Sequence, residues 1–388
     1  MHKVKLFNNI RSTALKQLCD SKYQISPDAE NPDVIIVRSA NLLDMEINPE
    51  LLCIARAGAG VNNIPIDRCA DNGVIVFNTP GANAEAVKEL ALCAMLLCTR
   101  DILGGLEWVK YASMQSGDIA ALVEKQKSKF IGPELHGKSL GVIGLGAVGT
   151  KISTAANALG MKVYGYDPYL SVEAAWKLSS VTIASDLETI YQNSDFITLH
   201  VPYLPSTHHM INKDSIAMMK QGVRVLNLAR AELVCDDDML EAITTRQVSR
   251  YVTDFPNAKT ACAPGVIAIP HLGASTPESE DNCVSMACSE IVEYVENGNI
   301  SNAVNMPSAY IPRNGDPRIC IIHDNVPDMI ARITSTVSSF GVNIENSRYA
   351  STKGRLPSYM MLDISTLPDG LEEAIKKING VTRVRVLT

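Results

Sequence analysis

Three glycines and one acid form the most specific chemical signal in the chain. Gly144, Gly146 and Gly149 fall as G-x-G-x-x-G directly after the apolar run Leu140–Ile143. A segment of small and apolar residues at helical spacing follows from Val148 to Leu159, and a second apolar run ends at Asp167, 18 residues past the last glycine. In this strand–turn–helix–strand order the first glycine permits a tight turn. The second lets a pyrophosphate approach the backbone, and the third lets helix and strand pack closely. The free N–H groups and positive dipole end of the helix attract phosphate. The candidate cofactor contacts here are Gly144, Gly146, Ala147, Val148 and Gly149. Asp167 can accept both hydroxyls of an adenosine ribose and would repel a 2′-phosphate, so the expected dinucleotide is NAD rather than NADP.

Other reactive residues follow strand-like segments in the same way. Arg230 comes after Val223–Leu228, Asp254 after Val248–Thr253, and His271 after Val266–Ile269. An arginine offers a planar fork for a carboxylate, and a histidine moves protons near neutral pH. Taken singly, each also fits a plainer role, the arginine on the surface and the histidine as a structural group. Nearer the N-terminus, Arg38-Ser39 and the run Arg56-Ala57-Gly58-Ala59-Gly60 end two more apolar stretches. Gly58 and Gly60 would let the backbone curl into an anion-binding nest, or simply turn between two surface arginines.

These residues need a sheet to position them. Val4–Phe7, Val34–Val37, Leu52–Arg56 and Val74–Asn78 read as short buried strands, and Asn83–Thr99 as a helix. Beyond Asp167, further strands lead into Val201-Pro202, Leu228-Ala229, Asp254 and His271. Strands alternating with helices imply parallel sheets, and the strand ends mark where cofactor and chemistry belong. Asp101–Phe130 reads as polar and mostly helical. Residues 306–317 hold three prolines and read as a linker. The tail follows the order βαββαβ, a ferredoxin-like pattern that specifies no function by itself. The expected fold is thus α/β, with two doubly wound parallel-sheet domains and a small C-terminal α+β domain.

Composition narrows the class. The 388 residues predict two or three domains at about 100–200 residues each. A net charge of −7 argues against a nucleic-acid partner. No apolar run approaches the roughly 20 residues that span a bilayer, and no signal-peptide core opens the chain, so a cytoplasmic location is expected. The ten cysteines, Cys19 among them, lack C-x-x-C pairs and zinc spacing, and most sit in apolar surroundings and read as small buried hydrophobes in a reducing compartment.

Seven segments together resemble the D-2-hydroxyacid dehydrogenase family: IVRSA (36–40), RAGAGVNNI (56–64), NTPGANAEAVKEL (78–90), GLGAVG (144–149), HVPYLPST (200–207), NLARAELV (227–234) and PHLGAST (270–276). The tail resembles an ACT domain, with HDNVP (323–327) and GVNI (341–344) where that domain carries its effector motifs. The resemblance implies a Rossmann-type NAD domain (99–276) inserted into a flavodoxin-like substrate domain (1–98 and 277–307), followed by the ACT domain (317–388). It implies Arg230 as the residue that orients substrate and His271 as the acid/base. It adds Val201, Pro202, Thr207, Leu228, Ala229, Asp254 and Gly273 to the cofactor contacts. Arg38, Ser39, Arg56, Gly58, Ala59 and Gly60 become the substrate-anion site. His323, Asn325 and Asn343 become a serine or other amino-acid effector site, and the assembly a homodimer or homotetramer.

The ACT domain points to the branch of the family that oxidises 3-phospho-D-glycerate to 3-phosphohydroxypyruvate, the entry to serine synthesis. A glyoxylate or hydroxypyruvate reductase and a weakly catalytic NAD-binding scaffold are the alternatives. Three departures stand out. The family's glutamate about five residues after Asp254 is absent: residues 255–276 contain no acid, and Lys259 holds the ungapped position. Ala231 replaces a glycine and Cys235 an acid. Asp328 stands where a glycine is common.

Overall fold

The computed structural model describes residues 1–388 other than Asn9, Arg11, Cys19, Asp20, Gln115, Ser116, Lys177, Lys353 and Arg355, with only the backbone of Glu173 and Ala174. The expected burial of Cys19 therefore lies outside the described residues. Contacts divide the chain into one unit of residues 1–82 with 280–388, and a second of residues 83–279.

In the first unit, β1 (His2–Leu6), β2 (Tyr23–Ser26), β3 (Val34–Val37), β4 (Cys53–Arg56) and β5 (Ile75–Asn78) form a parallel sheet in the order β2-β1-β3-β4-β5. This is the flavodoxin-like order. Helix α1 (Ile66–Asp71) connects β4 to β5. Strands β3 and β4 are buried along nearly their whole length, as strands covered on both faces must be.

The second unit opens with α2 (Ala84–Leu97), α3 (Ile102–Ser113) and α4 (Ile119–Gln126). Residues 83–98 group here rather than with the N-terminal strands, because Ala91, Ala94, Met95 and Cys98 fill the same core as Val142 and Ile152. Then come β6 (Ser139–Ile143), α5 (Ala147–Ala158), β7 (Lys162–Tyr166), α6 (Val172–Trp176), β8 (Val181–Ile183), α7 (Leu187–Asn193) and β9 (Phe196–Leu199). The unit ends with α8 (Lys213–Ala217), β10 (Val223–Asn227), α9 (Asp236–Thr244), β11 (Val248–Thr253) and β12 (Val266–Ala268). The seven strands lie parallel in the order β12-β11-β10-β9-β6-β7-β8. The order reverses between β6 and β9, the switch point at which such sheets bind ligands.

Helix α10 (Pro277–Asn297) leads back to the first unit, and most of its length packs there. The tail forms β13 (Arg318–His323), α11 (Met329–Ser339), β14 (Ile344–Ala350), β15 (Ser358–Ile364), α12 (Leu371–Lys376) and β16 (Val381–Leu387). Its antiparallel sheet runs β14-β15-β13-β16, the ferredoxin-like arrangement. Alternation along β13 splits its side chains between two cores. Ile319 and Ile321 pack with Met329, Ile333 and Val337 of α11, whereas Cys320 and Ile322 join Phe77, Ile291 and Tyr294 in the core of the N-terminal sheet.

One buried guanidinium ties this tail sheet to the rest of its unit. Arg318 Nε and Nη2 donate to the two oxygens of Asp363 at 2.6 and 2.9 Å, with both side chains fully buried. The same guanidinium donates to the carbonyls of Asn297, Ile311 and Pro312. Such a pair is tolerable only because every donor has a partner, and removing one member costs about 3–5 kcal/mol. Tyr359 Oη adds a bond to the Gly298 carbonyl at 2.7 Å.

Cys53, Cys69, Cys98, Cys283, Cys288 and Cys320 are buried, in line with the reading that most of the thiols are. Cys93 and Cys262 are exposed, and Cys235 is half-buried. Among the described residues no helix is long and apolar enough to cross a membrane.

Candidate active site

The glycine turn has the geometry a dinucleotide needs. Gly144 takes φ 95°, and a Cβ there would lie 2.5 Å from the His200 carbonyl oxygen. A Cβ on Gly149 would lie 1.9 Å from the Gly144 carbonyl oxygen, so only glycine lets α5 approach β6. Around Gly146, by contrast, a Cβ would meet no protein atom within 4 Å. The space that its missing side chain leaves opens outward, where a pyrophosphate would sit. Gly146 is also the N-cap of α5, and no side chain caps the helix, which leaves its first N–H groups to a ligand.

Asp167 closes the cradle from the end of β7. Its Oδ2 accepts from Leu145 N at 2.9 Å and its Oδ1 from Tyr169 N at 2.9 Å. Each oxygen keeps a lone pair for a ribose hydroxyl. Beyond β9, Val201 is half-buried, and Thr207 ties the exposed Pro202 turn by donating to the Pro202 carbonyl at 2.8 Å.

Strands β10, β11 and β12 lie side by side, and their C-terminal ends carry Arg230, Asp254 and His271. Arg230 is exposed, and the loop beneath it is clamped by a fully buried side chain, Asn227. Asn227 Oδ1 accepts from Ala229 N at 3.2 Å and Arg230 N at 3.3 Å, while its Nδ2 donates to the Arg230 carbonyl at 2.8 Å. Leu228 is buried between them in sequence and anchors the loop in the core. The motif NLARAELV contains Asn227, yet its clamping role was not evident from sequence. The signal available was an asparagine closing a strand just before the loop that carries Arg230.

Asp254 is 1% exposed. Its Oδ2 accepts from Gly273 N at 3.2 Å, and its Oδ1 is buried without a partner among the described residues. Burial raises its pKa, and the nearby charge of His271 opposes the rise. An orphan carboxylate oxygen is costly unless something satisfies it, and an amide N–H₂ from a nicotinamide has the right chemistry. The residues therefore fit the dinucleotide at both ends.

His271 is exposed, with its ring 4.7 Å from that of Phe255. Among the described residues of this unit no carboxylate is hydrogen-bonded to it. Lys259, at the place of the absent glutamate, pairs instead with both oxygens of Asp237 on α9, at 2.6 and 2.8 Å. Asn257 likewise binds Asp236 at 2.7 Å. The acids at the start of α9 thus hold the 257–259 turn.

In the first unit the expected anion loop is already well satisfied. Asn8 Oδ1 accepts from the successive N–H groups of Arg38, Ser39 and Ala40 at 3.2, 3.0 and 3.0 Å. Arg56 Nε donates to the Arg38 carbonyl at 3.1 Å, and its guanidinium occupies the space a Cβ on Gly58 would take. Gly58 N–H bonds the Arg56 carbonyl at 2.8 Å, so it is not open to an anion. Of the two glycines, only Gly58 uses a left-handed φ, 148°; Ala59 accepts from Asn78 Nδ2 at 2.7 Å, and Gly60 follows it.

The expected effector residues occupy the tail domain. His323 ends β13, fully buried, with Nδ1 bonded to the Asp324 carbonyl at 2.8 Å and Nε2 unpartnered among the described residues. Burial lowers its pKa. Its ring stacks on Tyr349. Asn325 donates to the Thr352 carbonyl at 3.2 Å, and Asn343 to Glu345 at 2.8 Å. Asp328 takes φ 72° at the N-cap of α11, a conformation that favours the glycine expected there.

Residues 92–273 match the model of the D-isomer specific 2-hydroxyacid dehydrogenase NAD-binding domain. Hydroxypyruvate reductase of Thermotoga maritima is 37% identical over 273 residues, which cover 67% of this chain and 83% of the relative. The chain belongs to the D-isomer specific 2-hydroxyacid dehydrogenase family. The cofactor of this dehydrogenase fold is NAD, and the glycine cradle lies in the matched segment. D-3-phosphoglycerate dehydrogenase of Methanocaldococcus jannaschii is 33% identical over 297 residues, 74% of this chain. The chain spans about half the length of that relative, 54%. Among solved structures, D-lactate dehydrogenase from Aquifex aeolicus, complexed with NAD and lactic acid, aligns at a TM-score of 0.61 and 25% identity. That alignment covers 79% of this chain and 100% of the other.

Proposed function

We propose that the chain oxidises 3-phospho-D-glycerate to 3-phosphohydroxypyruvate with NAD, the first step of serine biosynthesis. The observation that carries the reading is the row of Arg230, Asp254 and His271 on three adjacent strand ends. Arg230 holds the substrate carboxylate and C2 oxygen in its planar fork. His271 takes the proton of the C2 hydroxyl and returns it in reduction. NAD, when bound, supplies the acceptor for the hydride that leaves C2. The Asp254 oxygen receives the carboxamide, and Phe255 limits rotation of the His271 ring. Arg38, Ser39 and Arg56 are assigned the phosphate.

A second reading is reduction of unphosphorylated hydroxypyruvate or glyoxylate. It is favoured by the Asn8 oxygen seated in the Arg38–Ala40 backbone nest, which leaves little room there for a dianion. The named function of the Thermotoga relative agrees with it. We assign the protein to the cytoplasm, with serine or another amino acid acting at His323, Asn325 and Asn343. Homodimerisation is supported by the stripe Ile102, Leu103, Leu106 and Val109 on α3, each at least 40% exposed.

The test is NADH oxidation with 3-phosphohydroxypyruvate, hydroxypyruvate and glyoxylate side by side. Preference for the phosphorylated acid supports the first reading, and preference for an unphosphorylated acid the second. His271→Ala should reduce turnover about 10²–10⁴-fold with either substrate. If His271→Ala leaves turnover intact, the acid/base assignment is wrong.

A further inference from the structure

Strand β16 presents Arg383, Arg385 and Leu387 on one face, because alternate residues of a strand point the same way. Arg383 and Arg385 register with Ile322 and Cys320 of β13, both of which belong to the core shared with the N-terminal sheet. Two guanidinium groups therefore stand in an otherwise apolar row. Arg385 stacks over the Tyr294 ring at 4.4 Å and donates to the carbonyls of Tyr294 and Val295 at 3.1 and 2.7 Å. Arg383 donates to the carbonyls of Pro49 and Asn72 at 3.0 and 3.1 Å. Among the described residues neither has a carboxylate partner. Burial lowers the Arg383 pKa, and the Arg385 charge adds to that effect.

Apart from the Tyr294 ring, carbonyl dipoles are all that meets these two half-buried cations among the described residues, and such charge is better stabilised when paired. They line an open cavity of about 730 Å³, within the range of small-molecule sites. Lys376 adds a third cation at the rim, already paired with Glu372 and Glu373. Leu52, Val295 and Val384 supply apolar wall, and Asp33 and Glu50 also line the space. The acids disfavour a highly charged polyanion. None of these residues belongs to the glycine cradle, the strand-end row, the Arg38 loop or the His323 group.

We propose that this cavity binds a small anion with a carboxylate or phosphate head, held by Arg383 and Arg385 between the tail sheet and the N-terminal sheet. Planar guanidinium forks suit both head groups. Because the ligand touches both sheets, it adds a bridge to their docking.

The test is calorimetric titration of the full chain with succinate and with inorganic phosphate, against chloride at matched ionic strength. Saturable binding of either probe is expected, and the tighter one identifies the head group. Arg383→Gln should weaken it at least tenfold. Thr382→Asp places an anion at the exposed edge of the same cavity and removes no arginine contact, so it should abolish binding even if Arg383→Gln disturbs folding. Both titrations are repeated in Arg38→Ala, which removes the cation assigned to the substrate phosphate, and binding at this cavity should persist there and in Asn343→Ala. Absence of saturable binding by both probes in Arg38→Ala overturns the proposal. So does binding in Arg38→Ala that survives Thr382→Asp, or binding lost in Asn343→Ala.

Discussion

Arg38 Nη1 lies 2.5 Å from Glu280 Oε1, so the arginine assigned to the substrate anion already holds a carboxylate. Both side chains are about half exposed, where an ion pair is worth at most about 1 kcal/mol. An incoming anion must displace Glu280. Glu280→Gln should therefore lower KM for 3-phosphohydroxypyruvate by up to about fivefold and leave kcat unchanged. Steady-state kinetics decides it: a higher KM would mean that Glu280 positions Arg38 rather than competing for it.

Asn227 controls where Arg230 points without touching substrate. Asn227→Ala removes three hydrogen bonds from the 229–230 backbone. It should cut kcat/KM about 100-fold and cost about 1–3 kcal/mol of stability. NADH affinity, measured by fluorescence titration, should hold. A matching loss of NADH binding would show general damage to the sheet edge instead.

The carboxyl of Glu290 on α10 is pushed up to about 8 by burial, and Asn302 donates a hydrogen bond to it. Between pH 4.5 and about 8 the folded state then holds a proton that the unfolded state has released. Stability should fall as pH rises through that window and level off above it. Glu290→Gln removes the slope, and at pH 9 it should stabilise the protein by about 1–3 kcal/mol. Urea denaturation at pH 5, 7 and 9 measures this, and an unchanged slope in the variant would refute it.

Asp328 holds a left-handed backbone that costs an L-residue about 1 kcal/mol. Its side chain makes no capping bond. Asp328→Gly should raise stability by a few tenths to about 1 kcal/mol after the unfolded-state entropy of glycine is deducted. A drop in the urea midpoint would show that the carboxylate contributes through a contact not seen here.

Much of the fold was legible because buried parallel strands are dense apolar runs. Val34–Val37 has the bounds its apolar run implies, and the glycine turn located the cofactor edge. The sheet-edge strands Tyr23–Ser26 and Val181–Ile183 were missed, since a short edge strand need not be apolar. The site was harder to read. Arg230, Asp254 and His271 could be placed at strand ends, but Asn8 over Arg38–Ala40 and Glu280 beside Arg38 are contacts between distant residues. No periodicity encodes such pairings. Lys259 shows the reverse case: the missing glutamate was visible in sequence, whereas its salt bridge to Asp237 needed coordinates.

The shared core of β13 bears on heredity as much as on mechanics. A regulatory module joined only by a tether can be swapped between enzymes without harm to either part. Here Cys320, Ile322 and Tyr359 complete the interior of the N-terminal sheet, and Arg318 is sated by carbonyls of the preceding segment. Excising the tail would strip that sheet of its own lining, so the two should melt in one transition and resist being exchanged separately.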